Sequence, residues 1–193
     1  MTKNVATVNI RLDYSDRIQQ GDVYRNIELI ERYEEKFDSI FLDKVRFPFV
    51  IVLTQDCDLE EDNRIRCGGN QQDKLLLSVL VAPLYNEEHV FQGSHLSGIE
   101  LSANAISKKD TEGRYLLQNQ RLRYHYIGFP DTIDIPNSII DFKHYFSVPI
   151  NQLLHAIDSK GYVCTIDTLF REQISIRFAN FLSRIGLPPI PTE

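Results

Sequence analysis

The most chemically loaded stretch of this 193-residue chain is Leu53-Thr54-Gln55-Asp56-Cys57-Asp58-Leu59-Glu60-Glu61-Asp62, where an apolar run passes into five carboxylates within seven residues. Polar groups at the end of a buried strand are held rigidly and reach solvent, which is where sites are often built. On an extended chain Asp56 and Asp58 share one side and can bind Mg²⁺ or Mn²⁺ through oxygen, or one of them can act as a general base. The plainer reading, which we prefer, is the first turn of a helix, where carboxylates oppose the positive end of the dipole. Negative neighbours disfavour a thiolate, so Cys57 reads as a small buried hydrophobe rather than a nucleophile. None of His89, His95, His125, His144 and His155 sits in a recognisable catalytic signature. Cys57, Cys67, His89 and His95 are the right ligand types for zinc, but the cysteines are too far apart to form the tight turn of a structural site. No cofactor or metal is expected.

A second candidate is Arg121-Leu122-Arg123-Tyr124-His125-Tyr126. On a strand, Arg121, Arg123 and His125 would share a face able to hold phosphates while nearby rings stack on unpaired bases, as in single-stranded RNA recognition. A polar outer face over a tyrosine-rich inner face is the ordinary alternative. Near the C-terminus Gln173, Arg177, Asn180 and Arg184 recur at helical spacing. They read as a solvated face, with a partner or phosphate contact as the alternative.

The elements that must position these residues are mostly strands. Val5 to Leu12 alternates with a period of two, and Gln20-Gly21-Asp22 punctuates the chain. Val23 to Tyr33 fits either a strand pair or a short helix, and periodicity does not decide. Phe47 to Leu53 is apolar at nearly every position, which predicts a central strand covered on both faces, and Leu75 to Ala82 has the same character. Asp56 to Lys74 between them is long enough for an excursion or a short helix. Arg121 to Ile127, Ile139 to Val148 and Gly161 to Ile166 are further strands, and Asn151 to Asp158 a second, shorter helix. From Thr168, residues Phe170, Ile174, Phe178, Phe181, Leu182 and Ile185 mark an amphipathic helix, with Asp167 or Thr168 as cap and Gly186 and Pro188 as stop.

With no repeat and no linker, the sequence predicts one domain over residues 1–193, with a barrel-like core over about 5–150 and a helical part over 151–193. The expected class is α+β and mainly β: an SH3-like barrel or strongly coiled antiparallel sheet with the C-terminal helix packed on it. A chain of this length buries enough surface to need no disulfide or metal staple. Its three cysteines are widely spaced, the N-terminus has no leader pattern, and no apolar run is long enough to span a bilayer. A cytoplasmic location is therefore expected, with no membrane partner. The formal charge is −6, and the acidity is N-terminal: residues 1–112 carry 20 acidic and 13 basic residues, residues 113–193 carry 7 and 8. Non-specific adhesion to nucleic acid is disfavoured, so any such site must be local.

Gly21-Asp22-Val23, then Arg46-Phe47-Pro48 leading into Val50-Ile51-Val52-Leu53, then a second strand ending Val81-Ala82-Pro83-Leu84, resembles the order of elements in MazF/PemK-like proteins. These are small SH3-type barrels of toxin and antitoxin systems. The resemblance covers about a third of the chain. It departs from the family pattern at Phe47, inserted between Arg46 and Pro48, and at Tyr85 and Asn86, where a hydroxyl residue would be sought. It implies a cytosolic bacterial binding or regulatory module of the toxin–antitoxin or phage-defence kind. Such a module would recognise a protein, expected from a neighbouring gene, or single-stranded RNA, and could act as a homodimer. The alternatives are a metal-independent endoribonuclease, in which Arg46 stabilises charge on the scissile phosphate and Arg25 or Asp22 completes the site, and a Mg²⁺-dependent enzyme built on Asp56 and Asp58.

Overall fold

The structure, a computed structural model, describes residues 7–36 and 39–184. Strands β1 (Ile10–Arg11), β2 (Asp22–Lys36), β3 (Ser39–Val52), β4 (Ser78–Asn86), β5 (Tyr124–Ile127), β6 (Ser138–Asp141), β7 (Phe146–Pro149) and β8 (Tyr162–Ile166) form one antiparallel sheet. Its order is β1-β8-β2-β3-β4-β6-β5, with β7 also on β4. The sheet curls until its ends meet: the Val8 N–H donates to the Gly128 carbonyl at 2.8 Å, and Thr7 and Gly128 form a parallel bridge. The helices are α1 (Asp56–Arg66), α2 (Glu87–Gln92), α3 (Thr111–Leu117), α4 (Ile150–Asp158) and α5 (Thr168–Leu182). The molecule is thus the expected mainly β, α+β protein with its C-terminal helix packed on a coiled antiparallel sheet.

The apolar run at 47–53 has its predicted cause. Val23, Ile51 and Ala82 face the core that Ile174, Phe178 and Phe181 of α5 complete, while Tyr24, Val50, Val52 and Val81 face a second core with Leu59 of α1 and Leu153 of α4. With both faces covered, β2, β3 and β4 can be apolar at successive positions. β3 lies at the centre and pairs β4 at Val50↔Pro83, Ile51↔Ala82 and Val52↔Val81, so the two apolar runs lie side by side. A third core, with Val90, Phe91, Leu116, Tyr85, Tyr126 and Ile139, sits under α2 and α3.

Val23 to Tyr33 is strand, not helix. The β2–β3 register lacks the rung of Asn26 opposite Pro48, and it shifts again between Ile30 and Arg32. Pro48 has no N–H to give, and Asn26 takes a left-handed φ of 58°. Alternation slips there: Tyr24 and Ile27, three apart, enter the same core, as do Val50 and Phe47. Beyond this joint β2 and β3 continue as a two-stranded ribbon bearing exposed Ile30, Tyr33, Ile40, Phe41 and Leu42.

Other expectations need correction. The second apolar strand runs over Ser78–Asn86, later than Leu75 to Ala82, and Leu77 is exposed. Ile139 to Val148 is divided by a 3-10 turn at Phe142–His144, because Asp141 accepts from the Lys143 N–H and ends β6. Strand pairing over 121–127 begins only at Tyr124, and within the described part of 5–12, residues 7–12, only Ile10–Arg11 forms a strand. Leu182 is exposed because the apolar stripe of α5 ends at Phe181. Val5, Ala6, Ile185, Gly186 and Pro188 lie outside the described residues. Among the described residues no helix is long and apolar enough to cross a membrane.

Candidate functional site

β3 and β4 pair over three rungs and then part. From Leu84 onward β4 pairs only β6, on its other side, through Leu84↔Ile140, Tyr85↔Ile139 and Asn86↔Ser138. β3 continues from Phe49 back to Ser39 with no strand on its β4 side among the described residues. Prolines stand on both strands at the fork, Pro48 and Pro83, and each removes a donor that could have extended the ladder. Between the parted strands lies a cleft of about 430 Å³, walled by Val45, Phe47 and Phe49 on one side and by Tyr85, His89 and His95 on the other. Its lip is the stretch after α2, where Gly93 turns with φ 77° and packs against the Ala103 carbonyl so closely that any Cβ would collide with it.

A polar cluster stands behind the apolar wall. The Tyr85 hydroxyl is 3.1 Å from Nδ1 of His144, which is 3.5 Å from a carboxylate oxygen of Asp141. Asp141, buried at 1% exposure, takes a two-pronged contact from Arg123, with Nε donating at 2.8 Å. The Arg123 guanidinium lies over the Tyr124 ring, 4.9 Å from its centroid. Tyr85 meets the His95 ring edge-on at 5.0 Å. Burial, reinforced by Asp141, pushes the Tyr85 hydroxyl well above its ordinary pKa. Burial lowers His95 and His144, with Asp141 acting in the opposite sense on both. At neutral pH the cluster therefore presents neutral rings to the cleft, with one ion pair behind them.

The residues singled out from sequence are dispersed. Asp56 opens α1, as the plainer reading had it, and is a staple: it accepts from Arg17 at 3.1 and 2.9 Å, from the Gln20 N–H at 3.2 Å and from Arg171 at 3.4 Å. Burial, its largest single influence, would raise its pKa, but these partners together hold it below the usual value. Asp58 is exposed. Cys57 is exposed too, contrary to expectation, because the phase of α1 turns Leu59, Asp62 and Ile65 inward instead. Among the described residues no group of three or more His, Cys, Asp or Glu could hold a metal ion.

Asp22 is buried at 1% exposure, accepting from the Thr165 hydroxyl at 2.6 Å and the Gln19 N–H at 2.8 Å, and burial pushes its pKa up to about 6. Arg46 lies at the cleft rim and bonds Glu28 at 2.7 Å, whereas Arg25 opens onto a different cavity, so Asp22, Arg25 and Arg46 do not converge. The expected cationic face of 121–125 is absent. Arg121 precedes the strand and pairs with Glu112, Arg123 is held by Asp141, and His125 is in the core against Phe142. Burial, with Arg177 adding to it, lowers the His125 pKa to about 3. On α5, Gln173 and Asn180 are solvated, but Arg177 donates to the carbonyls of Arg121 and Tyr124 at 2.6 and 2.8 Å, and Arg184 lies over the Phe181 ring.

No family model matches the chain, and neither a curated protein nor a solved structure matches it.

Proposed function

We propose that this chain is a binding or regulatory module, of the toxin–antitoxin or phage-defence kind its resemblance suggests, that takes an extended segment of a protein partner into the cleft between β3 and β4. One observation carries this reading: a strand edge with no partner among the described residues runs from the cleft onto a ribbon with five large exposed apolar side chains. Such an edge is a template for strand addition, with main-chain bonds supplying affinity and a pocket supplying specificity. Exposed apolar surface of this kind marks interaction sites.

Charge favours protein over RNA. Arg46 and Lys44 share Glu28, Lys108 is bound by Glu87 and Glu88, and Arg123 by Asp141. Phosphates would have to displace these carboxylates. Cleavage of RNA would require Arg46 to leave Glu28, and metal chemistry at Asp56 would require it to leave two arginines.

The test is selection of random peptides displayed on phage, followed by affinity measurement on the native chain and on Gly98→Leu. Gly98 lines the cleft, and a Cβ added there meets no atom within 4 Å, so the variant narrows the mouth without disturbing the fold. The expected result is a consensus of alternating apolar residues whose affinity drops about tenfold or more in the variant. Absence of a consensus, or equal binding by Gly98→Leu, overturns the reading. So does cutting of single-stranded RNA in EDTA that Arg46→Ala abolishes.

A further inference from the structure

Thirteen arginines fall within the described residues, and Arg25 differs from the rest. The others contact a carboxylate (Arg17, Arg32, Arg46, Arg64, Arg66, Arg121, Arg123, Arg171), a side-chain amide or hydroxyl (Arg11, Arg114) or a backbone carbonyl (Arg177, Arg184). Among the described residues Arg25 makes no such contact, and its Nε is buried with no hydrogen-bond partner. A guanidinium carries five donors in a fixed fork, and leaving a buried donor unpaired is costly. The Nε of Arg177 is buried and unpaired too, but its Nη2 donates to two carbonyls, whereas no group of the Arg25 guanidinium has a partner among the described residues.

The position is imposed by the backbone. The Arg25 N–H donates to the Gly161 carbonyl at 2.8 Å, pinning β2 to the loop after α4, and Asn26 then turns the strand through its left-handed φ. The guanidinium is left on a cavity of about 270 Å³ that His155, Ser159 and Lys160 also line. The lining has one carboxylate, Glu28, and it is already bonded to Lys44 and Arg46. The last carbonyls of α4 could repel an anion, but they are occupied: His155, Ile157 and Ala156 accept from the N–H groups of Ser159, Lys160 and Gly161. Lys160 itself stands at φ 61°, a left-handed position that glycine fills with less strain.

We propose that this cavity, which is separate from the β3–β4 cleft, binds a phosphate group. Arg25 is the principal ligand, Lys160 supplies the second positive charge and His155 lies beside them. The match is chemical: a phosphate accepts from a guanidinium fork through two oxygens at once, and its charge offsets two cations with no free carboxylate in the lining. The group can come from inorganic phosphate or from a small phosphate monoester.

Calorimetric titration at low ionic strength tests this with inorganic phosphate, with phenyl phosphate, and with acetate as a carboxylate control, on the native chain, Arg25→Gln and Lys160→Gly. Saturable binding of either phosphate probe is expected, and the tighter of the two identifies the source. Arg25→Gln should weaken it about tenfold or more, since one partner of a charge-assisted pair is lost. Lys160→Gly should weaken it several-fold while leaving the thermal midpoint no lower, because glycine suits that backbone, so lost binding there cannot be lost folding. No saturable heat with either probe overturns the proposal. Undiminished binding by both variants, or acetate binding as tightly as phosphate, overturns it equally. The peptide reading stands or falls independently, because Gly98→Leu does not touch this cavity.

Discussion

The start of β2 and the fork between β3 and β4 are built from similar materials, strands and polar side chains, and use them in opposite ways. At the first, the carboxylates are spent internally. Asp56 ties the segment before β2 to α1 and α5, Asp22 ties β2 to β8 through Thr165, and strands pair on both edges. At the fork, pairing stops after three rungs, prolines stand where donors would be, and apolar rings face open space. Cross-strand and cross-element bonding makes a scaffold; withholding it at one seam makes a surface that can receive something.

That contrast can be broken most forcefully at Asp56. Asp56→Ala strands two partly buried guanidinium groups, and unfolding in urea should show a loss of about 2 to 3 kcal/mol. Asp22 and His125 sharpen it next, through pH. The folded pKa of Asp22, about 6, lies above its ordinary 3.8, so the folded state holds the proton more tightly and stability falls as pH rises from about 4 to about 6. The folded pKa of His125, about 3, lies below its ordinary 6.5, so its contribution is complete above about 6.5 and is lost as pH falls toward 3. The two slopes oppose each other, each up to about 1.4 kcal/mol per pH unit. Asp22→Asn should therefore expose a stability that climbs between pH 4 and 6, and His125→Phe one that declines; unchanged profiles in urea titrations would remove both groups from the account.

Smaller still is Lys160→Gly, expected to gain about 0.5 to 1 kcal/mol by relieving the left-handed backbone. Glu28→Ala should leave the denaturation midpoint unmoved although Glu28 also holds two cations, because that cluster is solvated, as exposed pairs generally are. The same carboxylate count at Asp56 and at Glu28 would then give opposite results, which is the contrast between scaffold and surface reduced to two substitutions.

The scaffold was the legible part of the sequence. Apolar character at consecutive positions from Phe47 to Leu53 means burial on both faces, and the three- and four-residue spacing from Phe170 to Phe181 admits one helical face, so both follow from local pattern. The phase of the short helix α1 was not legible, since Leu59 and Ile65 are too few to orient it, and Cys57 was assigned to the wrong side. The cluster at the fork was hidden for another reason. Tyr85, Arg123, Asp141 and His144 come from β4, the approach to β5, β6 and the turn after it, and none has a telling neighbour in sequence. Arg123 was singled out, but for phosphate, because its partner lies eighteen positions away. Two signals were available: the prolines at 48 and 83 inside apolar strands, which mark where a ladder fails, and a lone aspartate closing the run Ser138-Ile139-Ile140.

The missing rung between Asn26 and Pro48 has a mechanical consequence. A beam bends where its section is weakened, and here a cross-link between β2 and β3 is missing. The outer part of these strands, roughly 30 Å of extended chain at 3.3 Å per residue, is therefore a lever whose fulcrum sits beside the mouth of the cleft, so a load applied at its tip is felt at the mouth.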